Sequence, residues 1–168
     1  MDEPWGSCKF VEQIREWFAE KVFSEYAETK SFLDAIQAGD AGRAQDSLHA
    51  LMRSMISYFD AADREIFYQG LILGLLRRNA MWMIRSTQET GDGRCDIIIR
   101  SQERKLGYII ELKYSNDIDD PEKDAASGLR QIIDKRYADG FINGGIKDVK
   151  LFGIAFHKKW CSVVEKPY

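Results

Sequence analysis

A chain of 168 residues that is 45% hydrophobic and 12% aromatic can bury one sizeable core, which excludes a disordered or fibrous protein. Its formal net charge of -3 leaves no global basic footprint, so any contact with nucleic acid must rest on a local patch or on help. No apolar run approaches the roughly 20 residues that span a bilayer, the start MDEPWGSCKF lacks a signal-peptide pattern, and Cys8, Cys95 and Cys161 show no C-x-x-C spacing, so a cytoplasmic chain with free thiols is expected.

The first half is helical in pattern. From Phe10 to Tyr26, the residues Phe10, Val11, Ile14, Trp17, Phe18, Val22 and Phe23 recur at three and four spacing, the stripe of an amphipathic helix. Ser31 to Gln37 reads as a short continuation, and AGDAG as a loop with turn chemistry. Leu48, Leu51, Met52, Met55, Ile56 and Phe59 form a second stripe between Ala44 and Phe59. A third helix runs through DAADREIFYQGLILGLLRR; apolar nearly all round after Ile66, it is expected at the centre of the core.

After Arg78 the pattern changes. AMWMIRSTQE reads as a strand leading into the glycine turn TGDGR, and CDIIIR and GYIIELKY, joined by the polar loop SQERKL, read as an antiparallel hairpin. Asp120 and Pro121 supply a cap and a first-turn proline for a helix running to about Ala138. NGG breaks the chain, and VKLFGIAF and WCSVVE are two further strands around the connection HKK.

The hairpin contains an anomaly. Glu111 and Lys113 stand two apart in an otherwise apolar strand, so they share one face with Ile109. For an isolated Glu-x-Lys a solvated sheet face is the ordinary explanation, but the apolar neighbours weaken it. If the loop is centred between Glu103 and Arg104, the residue facing position 96 is 207 minus 96, or 111. Asp96 and Glu111 would then be cross-strand neighbours with Cβ atoms about 5 Å apart. Two buried carboxylates that close repel each other and each bears a desolvation cost, which a hard divalent cation, Mg²⁺ or Mn²⁺, relieves. Lys113, one pleat along, can orient or help deprotonate a water and stabilise charge on a phosphate under attack.

The ordered set GRCD at 93–96, ELK at 111–113 and QIIDKRY at 131–137 resembles the PD-(D/E)XK nuclease superfamily. More narrowly, it is similar to the bacterial branch in which the nuclease domain follows an AAA-ATPase-like domain, preceded there by an E-x-F-Y element like Glu65 to Tyr68. The resemblance covers roughly residues 45–160 and implies a restriction-endonuclease-like α/β fold: a mixed sheet of four or five strands between helices. It divides the chain into a helical N-terminal extension, 1–43, and a nuclease-like domain, 44–168. It makes Asp96 and Glu111 metal ligands, with the Leu112 carbonyl and Glu65 as further candidates, and Lys113 the catalytic lysine. Gln131 looks like the residue that supports such a site, and Tyr137 like the tyrosine that accompanies it. Cys95 stands where the family name has a proline.

Around that site, Arg94 and Lys135 are the candidate phosphate contacts, each weighed against a turn or solvated-surface role, as is Arg136. His157, Lys158 and Lys159 form a small basic tip between the last strands, His49 reads as a packing or surface histidine, and Glu89 as a strand-end charge near the glycine turn. Trp5, Trp17, Phe18 and Phe23 serve either the core or a docking face. The expected function is metal-dependent hydrolysis of phosphodiester bonds, with DNA as the first substrate. The alternative is a silent nuclease-fold binding module acting with an ATPase partner; the chain contains no G-x-x-x-x-G-K-[ST]. Nucleic acid, an AAA-ATPase-like domain and a second copy of the chain are the partners considered, and no membrane is.

Overall fold

The computed structural model describes residues 25–55, 64–90, 93–102, 105–116 and 120–168, together with Glu16 and Glu20, both helical. Most of the helix expected from Phe10 to Tyr26, with Trp5, Trp17, Phe18 and Phe23, lies outside the described residues, as do the hairpin-loop centre at Glu103 and Arg104 and the side chains of Glu65 and Glu89.

Helix α1 (Tyr26–Ala38) ends on Gly39, whose φ of 76° and whose bonds, Gly39 N–H to the Ile36 carbonyl and Asp40 N–H to the Ala35 carbonyl, close it in a left-handed cap. Asp40 then accepts the Arg43 N–H at 3.0 Å and starts α2 (Ala41–Met55). After α3 (Arg64–Leu76) the chain lays down β1 (Trp82–Thr90), β2 (Gly93–Ser101) and β3 (Leu106–Tyr114), crosses through α4 (Pro121–Asp134) and α5 (Asp139–Asn143), and returns in β4 (Asp148–His157) and β5 (Trp160–Pro167). The sheet order is β1-β2-β3-β4-β5, antiparallel throughout except for the parallel pair β3 and β4. This is the mixed five-stranded sheet between helical layers that the sequence predicts.

The alternation of each strand divides the core in two. Ile97, Ile99, Tyr108, Ile110, Phe152, Ile154 and Phe156 pack with Phe32, Leu48, Leu51, Leu71 and Leu75 of the first three helices. Ile98, Ile109, Val149 and Leu151 pack with Ile132 and Phe141 of α4 and α5 on the other face. Each such residue, once buried, contributes roughly 1.5–3 kcal/mol. Glu111 and Lys113 therefore belong to the α4 face, on the row of Ile109.

The sheet's outer edge at β5 is closed by α2. Gln45 accepts the Val163 N–H at 3.0 Å, and His49 Nε2 lies 3.1 Å from the Cys161 nitrogen and 2.8 Å from its carbonyl oxygen. His49 thus engages an edge-strand backbone group, the N–H or the carbonyl according to its tautomer, that would otherwise be open to another chain.

Two expectations need correction. Helix α4 ends at Asp134, not near Ala138, because Arg136 takes a φ of 54° and the chain turns. His157 is no part of a basic tip: it is buried, its Nδ1 2.8 Å from the Ser115 carbonyl oxygen, and only Lys158 and Lys159 are exposed in the turn.

Candidate active site

The β2–β3 register follows the sum of 207 from Arg100 with Gly107 to Ile97 with Ile110, and the paired ladder stops there. Beyond it β2 continues beside β1 while β3 continues beside β4, through Glu111 with Gly153 and Lys113 with Ala155. The two strands part as a fork at Asp96 and Glu111. Asp96 is thus not a ladder partner of Glu111. Its carboxylate takes over where the backbone stops, Oδ2 accepting the Leu112 N–H at 2.8 Å. Alternation on β2 breaks at the same point, since Cys95 packs with the cluster of Ile98 and Ile109 although its parity is that of Ile97. In an extended residue N–H and C=O point to the same side, so the Leu112 carbonyl also faces the fork.

Helix α4 closes the fork from above. Asp120 caps it by accepting the Lys123 N–H at 3.2 Å, with Pro121 in the first turn, as the sequence predicts. What lets it lie so low is a glycine on the strand beneath it. A Cβ on Gly153 of β4 would stand 2.0 Å from the Ala125 carbonyl oxygen and 2.8 Å from the Leu129 nitrogen. A Cβ on Gly128 of the helix would make only ordinary contacts, 3.4 Å from Lys113 Cγ and 3.6 Å from Glu111 Cβ. The sequence reading passed over both, yet each carries a signal: an interior helix glycine costs about 1 kcal/mol against alanine, and a mid-strand glycine marks a close approach.

From that height Gln131 reaches the strand. Its Oε1 accepts from Lys113 Nζ at 2.6 Å, while its Nε2 donates to Glu111 Oε1 and, at 3.4 Å, to the Tyr137 hydroxyl. Lys113 Nζ also lies 3.4 Å from Glu111 Oε1. Tyr137 donates its own proton to the Arg94 carbonyl at 2.6 Å. Six residues along an unbroken helix, Tyr137 would point roughly 120° away from Gln131; the turn at Arg136 brings it back. A side chain at Gly93 would meet the Tyr137 hydroxyl at 3.0 Å, so the glycine before Arg94 lets the turn close on it.

Glu111 is only 3% exposed, and its Oε2 has no hydrogen-bond partner. Burial first, and the nearby Asp96 charge second, push its carboxyl up to about 7, against the lowering pull of Lys113. Burial likewise raises the Tyr137 hydroxyl, and it pushes the Cys95 thiol well above its usual range, leaving that thiol inert. The buried Glu111 oxygen and the Asp96 carboxylate are the hard donors a cation would meet here.

The structure brings together Asp96, Glu111, Leu112, Lys113, Gln131 and Tyr137. Arg94 and Lys135 are exposed on its flank, with Lys135 Cδ 3.7 Å from where a Gly93 Cβ would stand. Arg136 pairs with Asp139 instead. Glu65 lies in the first turn of α3, a helix packed on the opposite face of the sheet, and its side chain is outside the described residues.

A search of curated proteins finds no significant match. A model of the PD-(D/E)XK nuclease superfamily matches residues 63–166, a span that takes in β1–β4, all of β5 but its last residue, and the two helices between β3 and β4. With most of the chain inside that match and the expected sheet observed, this protein belongs to the PD-(D/E)XK nuclease superfamily.

Proposed function

We infer that the protein is a metal-dependent nuclease that hydrolyses phosphodiester bonds, with DNA as its substrate. The observation that carries this reading is the buried Glu111 carboxylate, one oxygen unpartnered, beside Asp96 and beneath a lysine held by Gln131. A carboxylate in that position is costly unless a cation completes it. The donors present fit Mg²⁺ or Mn²⁺. Asp96, Glu111 and the Leu112 carbonyl would hold the ion, and among the described residues no group of three or more His, Cys, Asp or Glu side chains gathers, so water and phosphate oxygens complete the shell.

When bound, the metal supplies Lewis-acid polarisation of the phosphate and a more acidic water. The protein's own groups do the rest. Lys113, held at 2.6 Å by Gln131, aligns the attacking water and offsets charge that grows on the phosphate oxygens. Gln131 keeps Lys113 from collapsing fully onto Glu111, so the carboxylate remains available as a ligand. Tyr137 fixes the Arg94 turn, and Arg94 and Lys135 receive the flanking phosphates.

Cleavage of supercoiled and single-stranded DNA with Mg²⁺, with Mn²⁺ and with EDTA, alongside Lys113→Ala, tests the reading. Metal-dependent cutting that disappears in the variant supports it; cutting that survives in a clean variant preparation overturns it. No cutting with any metal, together with no metal-dependent rise in melting temperature, would favour the binding-module alternative; a rise without cutting would point to a missing partner or an untested substrate.

A further inference from the structure

The nuclease reading requires a nucleic acid to be held, yet the chain carries a net charge of -3, so the cations that hold it must be local. Among the described residues, helices α4 and α5 pack on β3 and β4 and the outer part of that sheet face carries exposed side chains. On β1, Met83 is 49% exposed and Arg85 is exposed; opposite Met83 on β2 stands Arg100, also exposed. Arg85 pairs with Ile98, which pairs with Ile109. All three residues therefore lie on the face that carries Glu111 and Lys113, although none of them stood out in the sequence.

Arg100 is held in an unusual way for a surface cation. Its guanidinium lies 4.8 Å over the Phe141 ring, and among the described residues no carboxylate pairs with it. A ring contact fixes a guanidinium through its face and does not use its in-plane donors, which remain for a phosphate. With strands about 4.8 Å apart and residues about 3.4 Å apart along each, the Arg85 Cα is roughly 12 Å, and that of Arg100 roughly 14 Å, from that of Glu111. At about 3.4 Å of rise per nucleotide, those are phosphates some three to four nucleotides from the bond at the fork.

The geometry points to a track for a nucleic-acid backbone across the exposed side chains of this face of β1 and β2, with Arg85 and Arg100 as phosphate contacts and Met83 against the sugars between them. The track rests on the nuclease reading and extends it: the substrate is a polynucleotide that continues several nucleotides past the cut, rather than a short oligonucleotide.

The test is the salt dependence of binding, measured by fluorescence anisotropy with a labelled DNA strand long enough to cross the sheet and with its duplex. Wild type is compared with Arg85→Ala/Arg100→Ala and with Lys166→Ala, a lysine on the far strand β5. The double variant should bind about tenfold more weakly or worse, with the slope of log affinity against log salt shallower by about 1.5, while Lys166→Ala changes neither. Melting curves establish that the variants are folded; where the double variant is not, the single variants Arg85→Ala and Arg100→Ala should each reduce the slope by about half as much. An unchanged slope in folded variants overturns the track and leaves the nuclease reading standing. Absence of both binding and metal-dependent cutting in the wild type overturns both.

Discussion

The two faces of β3 are written in the same nine residues and treated differently by the fold. Tyr108, Ile110, Leu112 and Tyr114 face α1–α3 and join one apolar core. Gly107, Ile109, Glu111 and Lys113 face α4 and α5, where a glycine gives way to Phe141, an isoleucine packs, and two charged groups meet a helix glutamine. A sheet face gathers its polar groups into one site not because it is polar but because a helix comes low enough to hold them in one arrangement. For β3 the residue that permits this, Gly153, belongs to the neighbouring strand β4.

Substitutions on opposite faces break the comparison most sharply. Lys113→Ala should reduce cleavage by about 10²–10³-fold while Tyr114→Phe, one residue on, stays within about twofold of wild type; initial rates on one DNA substrate measure both. Next, Gly153→Ala forces a methyl into the Ala125 carbonyl and should cost about 3 kcal/mol by chemical denaturation, with cleavage falling further because Gln131 moves off Lys113. Ile154→Val, on the other face, should cost about 1 kcal/mol and leave cleavage alone.

Titration sharpens it further. Folding raises the Glu111 carboxyl from 4.5 to about 7, so folding favours its protonated form. The associated stability is full below pH 4.5, declines as pH rises, and is lost above about 7. Metal-free protein should lose on the order of 2–3 kcal/mol across that window, Glu111→Gln should flatten the curve, and stabilisation by Mg²⁺ should grow as the carboxylate forms. A wild-type profile that stays flat without metal would contradict the burial argument. A smaller loss is expected of Tyr137→Phe, which deletes the bond to the Arg94 carbonyl. It should cost about 1 kcal/mol and weaken DNA binding more than it changes the melting shift with Mg²⁺.

Much of this was legible because it is local. Alternation in CDIIIR and GYIIELKY gave strands whose register then followed the loop length, and the Asp120–Pro121 pair announced the start of α4. The order of Asp96, Glu111, Lys113 and Gln131 picked out four residues that the fold brings together. What was not legible depends on partners distant in the chain. The fork at Asp96 arises where β3 exchanges its neighbour β2 for the parallel strand β4, and no pattern within GRCD signals that exchange. His157 read as part of a basic tip and His49 as a packing or surface histidine, yet neither pattern named the backbone group, more than forty positions away, on which each spends its ring nitrogen. The early end of α4 follows the same logic, since QIIDKRY is compatible with a continuous helix and the Tyr137 bond to Arg94 favours the turn.

By itself, then, the sequence determined the elements, the face on which each polar residue would stand and the chemistry those residues could perform, because side-chain periodicity is a property of the local backbone. Only the tertiary structure decided the height of α4 above the sheet, the opening between β2 and β3 and the burial of Glu111. Those depend on how closely segments remote in sequence approach one another, and close approach is set by packing against neighbours that no local pattern contains.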